Sequence, residues 1–164
     1  MEAILICILI IILLGAYGFR IRKDVQELSS RMSFKEAMEL TELPIVTFRY
    51  KENKLNFLLD TGSNDSHISG KCAKAFDINE NGETNIHLAG MGTTESFSVK
   101  MCELDLSYKN NVLRTKVIIS PMLNDSFDMI KKEHGVQLHG ILGTKFLEEH
   151  KYVLDFKDLT AYRR

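Results

Sequence analysis

The sequence predicts a mainly β domain carried behind an apolar N-terminal segment and a charged helical connector. Three observations predict it. Short runs of β-branched and aromatic residues recur with turn signals about every 8–12 positions. Helical stretches are few among them. The composition, 45% apolar and 26% charged over 164 residues, is that of a globular chain rather than a disordered or fibrous one. With 21 basic against 22 acidic residues, the net charge of −1 offers no electrostatic footprint for nucleic acid. Three cysteines are too few for a disulfide scaffold.

The first element is the run Ala3 to Phe19, which contains no charge. As a helix it spans about 25 Å, near the lower limit for crossing a bilayer. Tyr17, Arg20, Arg22 and Lys23 follow as an aromatic and basic border. A cleaved signal peptide fits less well, since no Lys or Arg precedes the run, although Ala16-Tyr17-Gly18 is a passable cleavage site. A buried core helix fits worst, for want of a polar face. Residues 1–23 are therefore expected to be a single-pass membrane anchor. Three basic residues just downstream place the remainder in the cytosol by the positive-inside rule. That remainder holds 18 basic and 21 acidic residues, net −3, so adhesion to an anionic leaflet falls to the helix.

Residues 24–43 read as a helical stalk, with a capping box at Ser33 and Glu36. The β domain is expected over 44–164, 121 residues, enough for one modest core but not two lobes. Its strands are expected at Ile45–Tyr50, Leu55–Leu59, a hairpin of Ile86–Leu88 with Phe97–Tyr108, Val112–Ile119, Val136–Gly143 and Tyr152–Phe156. Short helices are expected at Asn124–His134 and Thr144–His150. In the long strand the apolar positions are Phe97, Val99 and Met101, then Leu104, Leu106 and Tyr108. That change of phase near Cys102 predicts a bulge or bend. Cys72 and Cys102 fit a reducing compartment, or one disulfide.

One segment carries chemistry. Asp60-Thr61-Gly62-Ser63 directly follows the apolar run Phe57-Leu58-Leu59. A carboxylate at the end of a buried strand is costly unless it is paired or used. Gly62 permits a tight turn, and the Thr61 hydroxyl is suited to locking it. Ser63 either tunes the acid or fills the turn. As turn chemistry alone, Asp-Thr-Gly would be unremarked. A phosphorylated aspartate is disfavoured because Gly62 stands where a second carboxylate is usual, and no phosphate-cradling Gly-Lys-Ser/Thr occurs. The five histidines, His67, His87, His134, His139 and His150, show no metal-ligand spacing, so neither metal nor cofactor is expected.

The stretch Leu58 to Ser69 resembles the catalytic strand and turn of retropepsin-like aspartic proteases. Gly140-Ile141-Leu142-Gly143-Thr144-Lys145-Phe146-Leu147 is similar to that family's later glycine segment and helix, and Tyr152–Phe156 to its ending. Gly90-Met91-Gly92-Thr93 sits where the family has its flap. The resemblance implies a small closed β-barrel with one or two short helices. It implies peptide hydrolysis by two aspartates sharing one proton, with Asp60, Thr61 and Gly62 catalytic and Gly90, Met91, Gly92 and Thr93 against the substrate. Asn124-Asp125-Ser126, Leu154-Asp155-Phe156 and Lys157-Asp158-Leu159 lack the Thr-Gly. The second aspartate is then the Asp60 of another copy, which implies a homodimer acting on a peptide or protein substrate. The alternative is a non-catalytic, membrane-tethered dimerisation or peptide-binding module with the same fold.

Overall fold

Strand β1 (Ile45–Tyr50) turns through Lys51 and Glu52 into β2 (Asn53–Leu59), and the two pair antiparallel from Ile45 with Leu58 to Tyr50 with Asn53. These bounds come from a computed structural model, which describes residues 33–90, 93–108 and 110–164, without the side-chain surroundings of 84–97. Strand β3 (Ser66–Ser69) leads into helix α2 (Gly70–Ala75), and β4 (Gly82–Gly90) and β5 (Thr93–Tyr108) form a long hairpin. Strand β6 (Asn111–Ser120), helix α3 (Leu123–His134), β7 (Gly140–Leu142) and helix α4 (Thr144–Glu149) follow. The described chain ends in a two-stranded sheet of β8 (Tyr152–Asp155) and β9 (Thr160–Arg163).

The strands join in the order β1-β2-β7-β3-β6-β5, and a pairing of Arg49 with Ser107 returns β5 to β1. The result is the expected closed barrel of six strands, with β4 added outside it. Two of its contacts are parallel, β2 with β7 and β3 with β6. β7 lies between β2 and β3, so two stretches more than 70 residues apart in the chain are fixed side by side.

Alternation fills the barrel. Phe57 and Leu59 point inward from β2, Ile68 from β3, Cys102, Leu104 and Leu106 from β5, and Leu142 from β7, all buried. Phe48 meets Phe57 and Phe146 edge to face, at centroid distances of 5.9 and 6.0 Å. A smaller cluster of Ala37, Ile45, Phe127, Val136 and Leu138 lies under the helices.

Several expectations need correction. β5 keeps one register with β4 up to Met101 and one register with β6 from Met101 onward, so no bulge is present and the strand instead changes partner there. What changes is the face that is covered: even-numbered residues face the core once the strand joins the barrel, whereas Val99 and Met101 are half-buried on the other side. The Val136–Gly143 strand is confined to Gly140–Leu142. Residues 136–139 leave the ladder because Asn56 holds them: its N–H donates to His139 Nδ1 at 2.9 Å, its side-chain amide donates to the Gln137 carbonyl at 3.0 Å, and its carbonyl accepts from the His139 N–H at 2.9 Å.

The expected capping box forms, with the Glu36 N–H donating to Ser33 Oγ and the Ser33 N–H to Glu36 Oε2. It starts helix α1 (Phe34–Thr41). That helix is not a free stalk, since Phe34, Ala37 and Thr41 are buried and α1 packs on β1 and β9. The packed unit thus begins upstream of Pro44. Cys72 and Cys102 are free, and burial pushes their thiols up to about 12 and about 11. The expected anchor, Ala3–Phe19, lies outside the described residues, among which no helix is long and apolar enough to cross a membrane.

Candidate active site

Asp60 stands one residue beyond β2, where its N–H donates to the Leu142 carbonyl at 3.0 Å and prolongs the pairing with β7. The carboxylate is therefore carried just past the end of a buried strand. It is half-buried. Its Oδ1 accepts the Gly62 N–H at 2.8 Å, and its carbonyl accepts the Ser63 N–H at 3.4 Å. Oδ2 has no hydrogen bond, and Asp60 has no ion pair, among the described residues. A Cβ on Gly62 would lie 3.1 Å from Asp60 Oδ1, so glycine is what lets the backbone approach that oxygen.

The turn after Asp60 is held by the segment after β7. The Thr144 N–H and hydroxyl both donate to the Ser63 carbonyl, at 2.8 and 3.3 Å, and the Lys145 N–H donates to the Asn64 carbonyl at 3.2 Å. The Gly143 N–H donates to Ser66 Oγ at 3.1 Å. Gly143 has no room for a side chain, because a Cβ would meet the carbonyl oxygens of Asp65 and Ser63 at 2.5 and 2.7 Å. Lys145 pairs with Asp65 at 2.6 Å, which occupies the other nearby carboxylate.

Thr61 and Gly62 are exposed on the turn beside Asp60, where the sequence put them. Locking the turn does not fall to the Thr61 hydroxyl, however. The Asp60 carboxylate does it, helped by Ser63, whose hydroxyl donates to the Asp65 carbonyl at 2.8 Å. Ser63 thus fills the turn. Gly90 and Thr93 oppose one another at the end of the β4–β5 hairpin. Met91 and Gly92 lie outside the described residues.

Three participants were not singled out from the sequence: Ser66, Asn56 and His139. Ser66 and Asn56 are buried polar residues, which is a signal only once burial is known. His139 is a satisfied interior histidine, pushed down to about 4 chiefly by burial, so it accepts from Asn56 in its neutral form. Among the described residues no group of three or more His, Cys, Asp and Glu is placed to hold a metal ion.

No family model and no curated protein matches the chain. Many solved structures are similar to it, and two of them illustrate the likeness. One is EIAV protease in complex with the inhibitor HBY-793, 16% identical with a TM-score of 0.45, the match covering 65% of this chain and 86% of that one. The other is a retropepsin-like aspartic protease from Rickettsia conorii, 16% identical with a TM-score of 0.46, covering 68% of this chain and 75% of that one.

Proposed function

We propose that this chain is a membrane-anchored aspartic endopeptidase of retropepsin type, active as a symmetric homodimer. The observation that carries the reading is Asp60 itself: a half-buried carboxylate at the end of a buried strand, with Oδ2 unbonded among the described residues and its turn immobilised by residues 142–145. Asp155 likewise has no hydrogen bond to Oδ2 among the described residues, so what sets Asp60 apart is the interior strand beneath it and the turn held from residues 142–145.

Two such carboxylates facing across a two-fold axis carry one proton between them, because like charges at about 3 Å cannot both ionise; this is the general behaviour of aspartic-protease pairs, carried over from that family. The ionised member takes a proton from a water held between the pair. That water attacks the peptide carbonyl, and the protonated member hydrogen-bonds the developing oxyanion. Thr61 and Gly62 shape the turn that presents Asp60. The hairpin tip Gly90-Met91-Gly92-Thr93 would close over an extended peptide, adding backbone hydrogen bonds and excluding water. The run 3–19 would tether the enzyme in a membrane with the domain on the cytosolic side, and confinement there raises the effective concentration of partners.

The test is cleavage of a synthetic peptide library by the full-length chain in detergent at mildly acidic pH. Cleavage that vanishes in Asp60→Asn supports the proposal. Equal behaviour of wild type and Asp60→Asn defeats it and leaves a binding module.

A further inference from the structure

One histidine stands on the same side of the sheet as Asp60. The register pairs Leu58 of β2 with Ile141 of β7, and Ile141 with His67 of β3. Residues opposite in register share a face, so Leu58, Ile141 and His67 form one row across three strands. Asp60, two residues beyond Leu58, continues that face. All four are half-buried, whereas Phe57, Leu59, Ile68 and Leu142 point into the core. The first two residues of the row are apolar and pack toward the smaller core cluster. His67 makes the end of the row polar.

The imidazole is held in place. Its Nδ1 lies 2.9 Å from Ser120 Oγ, on the neighbouring strand β6. Its Nε2 has no hydrogen bond among the described residues. Among the described residues the buried side-chain polar atom without a partner is Tyr152 Oη, so the unbonded Nε2 is not sealed from solvent. Burial pushes the His67 pKa down, while the charges of Asp65 and Asp60 act in the opposite sense, which places both carboxylates within electrostatic reach.

We propose that His67 is a specificity-determining residue, favouring peptides whose side chain against β3 carries an oxygen acceptor, an amide or a carboxylate. The inference rests on the peptidase reading of Asp60. The proposal takes the Ser120 hydroxyl, 2.9 Å from Nδ1, as the donor of that contact, which puts the proton of the neutral ring on Nε2; the imidazolium carries one there in any case. Either form offers an N–H to the bound side chain. An aliphatic side chain would cover that N–H without replacing its water, and a hydrogen bond would be lost. Ser120 is a positioning residue, fixing the ring so that Nε2 faces outward.

The test uses octapeptides drawn from a randomised library and varied at each position among Gln, Glu and Leu, cleaved by the full-length chain. At one position Gln and Glu should exceed Leu in kcat/KM by roughly tenfold. Glu exceeding Gln would mean that charge adds to the contact. His67→Val should reverse the preference at that position alone, and His67→Asn should keep a weakened form of it. Ser120→Ala should blunt it and Ser120→Thr restore it. An unchanged preference in a folded His67→Val or His67→Asn overturns the proposal. The same peptides are also measured for Kd on Asp60→Asn. Cleavage with no acceptor preference defeats the inference alone. Absent cleavage with a His67-dependent Kd preference defeats the peptidase reading alone, and neither cleavage nor such a preference defeats both.

Discussion

Two aspartates in this chain end short apolar strands, and they behave differently. Asp60 follows Leu58-Leu59 and Asp155 follows Val153-Leu154. Each uses Oδ1 to hold its own turn: Asp60 accepts from the Gly62 N–H, and Asp155 from the N–H groups of Lys157 and Asp158 at 2.9 and 3.1 Å. Beyond that the two diverge. β2 is an interior strand, paired with β1 and β7, and its turn is bonded from residues 142–145. β8 pairs with β9 alone, and the next residue, Phe156, is 57% exposed. A similar local device is thus braced on an interior strand in one case and carried by a separate two-stranded sheet in the other. The difference comes from residues some 80 positions away, not from the turn itself.

The largest effect that tests this contrast is on cleavage. Asp60→Asn should lower kcat/KM by at least about a thousandfold with the thermal transition preserved, as expected for loss of a group acting on the reacting atoms. Asp155→Asn should leave kcat/KM within about twofold, because an amide oxygen still accepts the same two N–H bonds. Similar losses in both would erase the distinction.

Stability should show the same asymmetry. Gly143→Ala forces a methyl against two carbonyl oxygens and should cost about 3 kcal/mol or more in a urea titration. Phe156→Ala at the other turn removes a half-exposed ring that touches Phe34 edge-on, and about 1 kcal/mol is expected. A Gly143→Ala cost below that of Phe156→Ala would show that the turn after Asp60 is looser than its hydrogen bonds imply.

Much of this was legible in the residues. Apolar and β-prone runs bounded by turn signals located β1, β2, β5, β6 and β8, and the missing Thr-Gly separated Asp155 from Asp60 before any contact was known. Other features were not legible, for physical reasons. The phase change in β5 records which face is covered, and that depends on partners far along the chain rather than on the strand's own backbone. Residues 136–139 are apolar enough for a strand, yet the side chains of Asn56 and His139 take over their pairing. In α1 the buried spacing Phe34, Ala37 and Thr41 was present, but charged residues on the other face made the segment read as a stalk. The stitching of the Asp60 turn is mostly backbone bonding and a steric demand at Gly143, neither of which side-chain chemistry announces.

His139 gives a smaller, graded test. Its pKa in the folded chain is about 4, below the ordinary 6.5, so the unfolded chain binds the proton first as pH falls. Stability is fully present above about pH 6.5 and declines toward pH 4, by up to about 3 kcal/mol. Urea titrations at pH 7 and pH 4.5 should show that loss, and His139→Gln should flatten it. An undiminished loss in His139→Gln would assign the acid sensitivity elsewhere.

The central claim is that two copies of Asp60 make one site. Wild-type chain is mixed with Asp60→Asn at constant total concentration, allowed to exchange subunits, and assayed for cleavage. Activity should follow the square of the wild-type fraction, so an equal mixture keeps about a quarter of the full rate, since one dimer in four then carries both acids. A rate that falls in direct proportion to the wild-type fraction would mean each chain acts alone, and would contradict the account.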